Sequence, residues 1–336
     1  MSEDTIRIGL TGTVMLGRTV DFTIPPKAYA WPWGDVLPLM RRQDLNFANL
    51  ETTLTTSTRK HQKTFTFKAH PDKVNCLLEA NIRAVTLANN HMLDFSEEGL
   101  RETIAVLDTA GIRHVGAGMN DKAAQAPLIL PVNNIRLGIL SLTNDESSWK
   151  AGPGHPGVNY VDLYDGAAQQ LLLDNIVRLR QHVDHVLVSI RWGSNMQEEP
   201  NPLFIELAHE IIDHGASIIH GHGAHIFQGV EVYRNKLILY DTGDFIDDYA
   251  VDQVLRNDRS FFYIVEADRT SIPRLELIPV LIADGHVGLA TENDRIEAIR
   301  RMKDLSSALG TRIDSHPHMP DPDAFLQYTV NPSPCG

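Results

Sequence analysis

Cysteine is almost absent from this chain of 336 residues, which contains only Cys76 and Cys335. Two cysteines cannot form the disulfide framework of a small secreted domain or a thiolate metal site. The sequence also has no uninterrupted apolar run of about 18 residues, which is the length that predicts a transmembrane helix. Its first thirty residues lack a basic start followed by an apolar core, so no secretory signal is predicted and we expect a cytoplasmic protein.

Basic residues are also fewer than acidic ones. The sequence has 30 lysines and arginines and 43 aspartates and glutamates, which gives a formal net charge of −13. Nucleic acids and anionic membranes select basic surfaces, so we expect neither as a partner. The hydrophobic content of 43% and the charged content of 22% are ordinary for a globular protein. These features predict a small-molecule or peptide substrate and leave an oligomer open.

The most informative stretch is Val85–Phe95, with the sequence VTLANNHMLDF. Ala84–Ala88 is a short apolar run that predicts a buried strand. Asn90, His91 and Asp94 follow where this strand ends, and open α/β sheets place ligands and chemistry at the carboxyl ends of their strands. A histidine close to an aspartate is a ready acid/base pair.

A helix is predicted directly after this stretch. Apolar residues recur there at helical spacing: Leu100, Ile104 and Leu107. Asp94 followed by Glu97 fits a box that starts a helix, and Gly111 fits a cap that ends it.

Strands alternate with helices along the chain and then give way to hairpins. The predicted strands are Ile6–Leu10, Asp44–Thr52, Ile135–Leu142, Val183–Ile190, Ala216–Ile219, a hairpin over Val230–Tyr240, Phe261–Glu266 and Leu275–Ile282. The predicted helices include Pro202–His214 and Glu292–Leu309. With no internal repeat and no break in composition, we expect one domain over 1–312 and an irregular tail over 313–336.

Two further clusters of ionisable residues follow predicted strands. His220–Gln228, with the sequence HGHGAHIFQ, has three histidines in a segment that we interpret as a glycine-rich loop. Imidazole is a common metal ligand, so such a cluster favours a metal site. The hairpin ends in DTGDF, which brings Asp241 and Asp244 towards the same edge.

The order of the motifs resembles one known family. GTVMLGR, NFANLET, ANNHMLD, GHGAHIFQG and YDTGDF follow one another between about Ile6 and Ile246. As a set they resemble the CapA family of poly-γ-glutamate synthesis proteins, a branch of the calcineurin-like metallophosphoesterase superfamily. This resemblance implies an α/β fold, a four-layer αββα sandwich of two mixed sheets with helices outside, and a metal site at the strand ends.

The resemblance also implies roles for single residues. Glu51, Asn90 and His225 match metal ligands of the family. His91 matches the acid/base histidine, and Asp94 its orienting partner.

The sequence departs from the family pattern at several ligand positions. Thr13 stands where the family has an aspartate, Arg191 stands where it has a histidine, and Gly223 stands where it has the first histidine of an HPH motif. The altered YDTGDF motif adds Asp241 and Asp244. The remaining donors imply one divalent ion, calcium, magnesium or manganese, in preference to two transition metals. No organic cofactor is implied.

The residues at these departures are candidates for new roles. His222, next to Gly223, could compensate for the missing histidine. Arg191 could bind a substrate carboxylate or phosphate, or pair with Glu198 or Glu199. Arg18 and Trp192 are further candidates for substrate binding.

Three functions remain open, and we expect an enzyme. The first is a metal-assisted hydrolase of a phosphoester or of a peptide-like, γ-glutamyl amide bond. The second is an acid/base epimerase acting at the Cα of a peptide, since certain lasso-peptide epimerases are similar to this family. His91 with Asp94 would be one pair, and His222 or His225 with Asp241 or Asp244 the other. The third is a non-catalytic accessory protein of polymer biosynthesis.

Overall fold

The computed structural model describes residues 5–272, 274–315 and 328–332. The strands are β1 (Thr5–Val14), β2 (Leu45–Leu50), β3 (Thr53–Leu54), β4 (Lys68–Ala69), β5 (Ile82–Thr86), β6 (Arg113–Val115), β7 (Ala117–Gly118), β8 (Leu128–Val132), β9 (Ile135–Thr143), β10 (Gly157–Val158), β11 (His185–Arg191), β12 (Ile218–His222), β13 (Val230–Tyr233), β14 (Lys236–Leu239), β15 (Asp244–Ile246), β16 (Arg259–Asp268), β17 (Arg274–Ala283), β18 (His286–Leu289), β19 (Thr311–Ser315) and β20 (Tyr328–Pro332). The helices are α1 (Arg18–Thr23), α2 (Leu37–Arg41), α3 (Val74–Glu79), α4 (Ser96–Ala110), α5 (Asp121–Gln125), α6 (Gly166–Arg180), α7 (Pro202–Asp213) and α8 (Glu292–Ala308). Short 3₁₀ turns lie at Trp31–Val36, Pro71–Lys73 and Ser147–Trp149.

The strands form two large mixed sheets. The first has the order β19-β20-β17-β16-β1-β2-β5-β6, with β15 beside β1 and β18 beside β17. Its centre is parallel from β1 through β2 and β5 to β6, whereas β16 runs antiparallel to β1. The second has the order β13-β14-β12-β11-β9-β8, and β14, β12, β11 and β9 are parallel. Parallel strands end at one edge, so each sheet collects its strand-end loops in one place.

Three apolar clusters show how the layers stack. Between the sheets, Ile8 and Phe47 of the first pack with Ile139, Leu187 and Ile218 of the second. The outer face of the first sheet packs against α3 and α4, and the outer face of the second packs against α6 and α7. This arrangement confirms the predicted four-layer sandwich. Because both faces of the central strands are covered, strands such as β11 are buried at every residue, as their continuous apolar sequence predicts.

Several local predictions are confirmed and one is wrong. The hairpin over Val230–Tyr240 forms from β13 and β14, and Gly111 ends α4 with a left-handed φ of 71°. The histidine-rich segment is not wholly a loop, because β12 extends to His222 and includes His220. Two of its three histidines are therefore fixed by the sheet.

The tail differs in part from the irregular structure predicted for 313–336. β19 crosses the expected domain boundary, and β20 pairs antiparallel with β19 and contacts β17. These pairings satisfy backbone groups that would otherwise be left at a sheet edge. The remaining predictions for the tail, including Cys335, concern residues outside the described ranges. Cys76 is buried and free. No helix within the described ranges is long and apolar enough to cross a membrane.

Candidate active site

Glu51 lies at the centre of the strand-end edge, directly after β2, and is fully buried. Its Oε2 accepts hydrogen bonds from Asn49 Nδ2 at 2.8 Å and from the Thr13 hydroxyl at 3.4 Å. Its Oε1 has no hydrogen-bond partner. That oxygen lies 3.9 Å from Nε2 of His91 and 3.8 Å from Nε2 of His225. Two imidazoles therefore converge on one buried carboxylate oxygen.

His91 forms the first histidine–aspartate pair. Its Nδ1 lies 2.6 Å from Oδ2 of Asp94, and the same oxygen accepts the backbone N–H of Phe67 at 2.7 Å. The ring of Phe67 stacks on the imidazole with a centroid distance of 3.8 Å. The predicted helix-start box at Asp94 is wrong, because α4 begins after Phe95 with no side-chain cap. The carboxylate orients His91 instead, as the family resemblance implied.

The surroundings of this first pair favour the uncharged forms of both side chains. Burial, together with the positive charges of Lys63 and Arg191, lowers the pKa of His91 well below its usual value. Burial raises the pKa of Asp94 to about 7, although Lys63, 3.5 Å from its Oδ1, acts in the opposite direction. At neutral pH His91 is a neutral imidazole, and its Nε2 is available as a base.

His225 forms the second pair, in which its Nδ1 lies 2.8 Å from Oδ1 of Asp244. The ring of Tyr249 meets the imidazole edge-on, with a centroid distance of 5.2 Å. Burial lowers the pKa of His225, but the charge and hydrogen bond of Asp244, helped by Glu51, outweigh it and raise the pKa to about 9. At neutral pH this second imidazole carries a proton.

The other predicted partners, His222 and Asp241, do not form such a pair. His222 is fully buried on β12, and neither ring nitrogen has a hydrogen-bond partner among the described residues. Asp241 accepts the backbone N–H groups of Ala224 and Gly243, at 2.7 and 2.8 Å. The carboxylate thus holds the loop that carries His225. The predicted pairing of His222 with an aspartate is therefore absent from the described part of the chain, and Asp241 is occupied by two backbone N–H groups instead of an imidazole.

Arg191 ends β11 and points into the site, where it is 3% exposed. Its Nη1 lies 3.7 Å from Oε2 of Glu51, and its Nε and Nη2 both lie 3.2 Å from Oδ2 of Asp145. Pairing with Glu198 or Glu199 is therefore wrong, and Glu198 instead pairs with Arg301 at 3.0 Å. A fixed guanidinium balances the buried charge of Glu51.

Gly223 leaves room for the side chain of Arg191. A Cβ on this glycine would lie 2.7 Å from Nη1 and 3.1 Å from Cγ of Arg191, and its φ is +119°. The two departures from the family pattern are therefore coupled, because the larger cation needs a residue without a side chain beside it.

A pocket of about 760 Å³ opens over the two pairs. Its walls include His91, His225, Asn90, Tyr249, Arg18 and Lys63. Arg18 pairs with Asp248 at 3.3 Å and lies over the rings of Phe67 and Tyr249, so this predicted substrate-binding residue does face the pocket.

Trp192 does not line this pocket. It is 3% exposed in the core, stacks on Phe204, and donates from Nε1 to the carbonyl oxygen of Tyr240 at 2.7 Å. Its predicted role in substrate binding is wrong for the pocket over the two pairs. The physical reason is that neighbouring side chains at a strand end point to opposite faces, so Trp192 points away when Arg191 points in.

The predicted metal ligands Glu51, Asn90 and His225 lie at or beside this pocket. Asn90 and His225 line the pocket, Oε1 of Glu51 lies 3.8 Å from Nε2 of His225, and Oδ1 of Asn90 has no hydrogen-bond partner. However, no group of three or more His, Cys, Asp or Glu side chains in the described ranges is arranged to hold a metal ion. Glu51 already has a guanidinium beside it. The single calcium, magnesium or manganese ion expected from the sequence therefore stays a prediction.

Sequence reasoning missed three residues of the site. Lys63 lies between Asp94 and Glu146 in a segment without regular structure, and no sequence signal marked it. Phe67, which stacks on His91, lies in a similar position. Tyr249 is the fourth residue after the YDTGDF motif and could have been found by extending that motif.

The chain is similar to several known proteins. Residues 7–249 match the family model described as bacterial capsule synthesis protein PGA_cap. A probable polyglutamine synthesis accessory protein of Mycobacterium tuberculosis is 32% identical over 91% of this chain and 85% of its own length. The capsule biosynthesis protein CapA of Bacillus anthracis is 26% identical over 84% of this chain and 69% of its own. A solved structure of a putative 5′-nucleotidase from Staphylococcus aureus is 14% identical, covers 88% of this chain and 58% of that one, and gives a TM-score of 0.47.

Proposed function

This chain belongs to the PGA_cap family of bacterial capsule synthesis proteins, and from that premise we propose that it is an acid/base enzyme that exchanges the proton at the Cα of a peptide-like substrate. The observation that carries the proposal is the convergence of Nε2 of His91 and Nε2 of His225 on one oxygen of Glu51, at 3.9 and 3.8 Å. Each histidine is oriented through Nδ1 by its own aspartate.

The two pairs differ in the way that a two-base reaction requires. Neutral His91 can accept the proton from Cα, and the electrons of the C–H bond then move onto the adjacent carbonyl oxygen. Protonated His225 can deliver a proton to the opposite face of the carbon. Both imidazoles then exchange protons with solvent, which restores neutral His91 and protonated His225. No oxidant or reductant is consumed.

A substrate that carries carboxylates suits the mouth of the pocket. Arg18 and Lys63 line the pocket together with apolar side chains such as Phe65 and Val251. Guanidinium and ammonium groups bind carboxylates through charge-assisted hydrogen bonds. Since relatives carry names from polyglutamine and capsule synthesis, γ-linked glutamate oligomers are the first probes to use.

The test is incorporation of solvent deuterium into such an oligomer, followed by mass spectrometry. We expect incorporation with the native protein, in the presence of chelator, and a loss of about 10²- to 10⁴-fold in His91→Gln and in His225→Gln. His209→Gln is the matched control, because His209 also pairs with a carboxylate, Glu231 at 2.8 Å, and stacks on Tyr233, but lies outside the pocket.

Other results would point to the other functions. Release of shorter fragments that stops with chelator, without deuterium uptake, would replace the proposal with metal-assisted hydrolysis. Binding of the oligomer with neither reaction would favour an accessory role, the function that the name of the Mycobacterium tuberculosis relative states for that protein.

A further inference from the structure

The pocket wall contains a hydroxyl group that neither pair uses. Tyr249 lines the pocket, yet its hydroxyl oxygen is buried and has no hydrogen-bond partner among the described residues. Buried polar atoms are normally hydrogen-bonded, so each exception needs an explanation. Because Tyr249 lines the pocket, a bound ligand is the simplest candidate for the missing hydrogen-bond partner of its hydroxyl.

Tyr249 also lies between the two histidine–aspartate pairs. Its ring meets His225 edge-on at 5.2 Å and lies 5.8 Å from the ring of Phe67, which stacks on His91. Its backbone N–H donates to Oδ1 of Asp247 at 2.8 Å, which fixes the residue. A continuous row of rings therefore links one imidazole to the other, and the buried hydroxyl belongs to this row.

We propose that the Tyr249 hydroxyl donates a hydrogen bond to the substrate carbonyl oxygen next to the carbon that loses its proton. This inference rests on the proposed function. When His91 removes the proton, negative charge develops on that oxygen, and a donor already in place stabilises it without transferring its own proton. Asn90 lies on the same wall with an unpartnered Oδ1, which can accept the N–H of the same substrate.

The first experiment measures deuterium exchange into a γ-linked glutamate oligomer by Tyr249→Phe. We expect the exchange rate at saturation to fall about 10²- to 10³-fold, the effect of removing one such donor, with a much smaller change in KM. The matched control is Tyr263→Phe, because the Tyr263 hydroxyl is also buried without a partner but lies in the core between the sheets. Equal rates for Tyr249→Phe and the native protein would overturn the inference.

A second measurement separates this inference from the exchange reaction. In protein labelled with ¹³C at tyrosine Cζ, the Tyr249 signal is identified by its absence in Tyr249→Phe. We expect that signal to shift when the oligomer is added. No shift at saturating oligomer, or no binding of the oligomer, would overturn the inference. A shift without exchange would support the hydroxyl contact while contradicting the epimerase proposal.

Discussion

The two histidine–aspartate pairs use the same chemistry in opposite charge states. His91 and Asp94 lie three residues apart on one loop, near the cations Lys63 and Arg191. His225 lies on the loop after β12 and Asp244 begins β15, and the anions Asp244 and Glu51 lie close to that imidazole. The pKa of the first histidine falls and that of the second rises to about 9. Burial lowers the pKa of both imidazoles, and at His225 the charge and hydrogen bond of its own partner, Asp244, outweigh burial.

Removing the anion beside His225 should have the largest effect on this difference. Asp244→Asn keeps an oxygen that can accept from Nδ1 but removes the negative charge. Because burial then acts without that opposing charge, we expect the pKa of His225 to fall below 6.5 and the imidazole to lose its proton at neutral pH. Deuterium exchange should drop about 10²- to 10⁴-fold. Histidine NMR titration checks the pKa, and an unchanged value near 9 would contradict the account.

The same charge makes a stability prediction with a definite sign. A histidine whose pKa rises from about 6.5 to about 9 on folding stabilises the protein fully below pH 6.5, and this contribution is lost as pH rises through 9. We expect the free energy of unfolding to fall by on the order of 3 kcal/mol across that window. Urea unfolding at several pH values measures it. The slope should be largely absent in Asp244→Asn, and an identical slope in both proteins would count against the pair.

Arg191 is the neighbour that the two pairs share, since its charge lowers the pKa of both histidines. Gly223→Ala should displace it, because the new Cβ would lie 2.7 Å from Nη1. We expect a loss of about 1–3 kcal/mol in unfolding free energy and a rise in the pKa of both histidines by NMR titration.

Gly111→Ala is the control for the glycine change. Gly111 also has a positive φ, +71°, but a Cβ there would meet no atom within 4 Å. It should lose stability through backbone strain alone and leave both histidine pKa values unchanged. If it shifted them equally, the contact with Arg191 would not be the cause.

The sequence predicted the fold better than the details of the site. The apolar runs predicted the strands. Because strand ends meet at one edge of a sheet, they also predicted that Glu51, His91 and His225 lie in the same site. The choice of the second aspartate stayed open, because Asp241 and Asp244 lie three residues apart and only the loop geometry assigns one to the backbone and the other to His225. Asp94 misled the local interpretation, because a tertiary contact to Phe67 outcompeted helix capping.

Lys63 offers the finest test of the comparison, because it forms an ion pair with the aspartate of the first histidine–aspartate pair. It lies 3.5 Å from Oδ1 of Asp94 and 3.5 Å from Oε1 of Glu146, and its charge is the second cause of the low pKa of His91 after burial. In Lys63→Met we expect the pKa of His91 to rise while that of His225 stays near 9, as measured by histidine NMR titration. The pH below which the exchange rate falls should then be higher, because His91 must be neutral to act as a base. Lys122→Met, at a lysine outside the pocket, is the control. Should both histidines shift by the same amount, the two pairs would be titrating as one unit, and their opposite charge states would need a common cause.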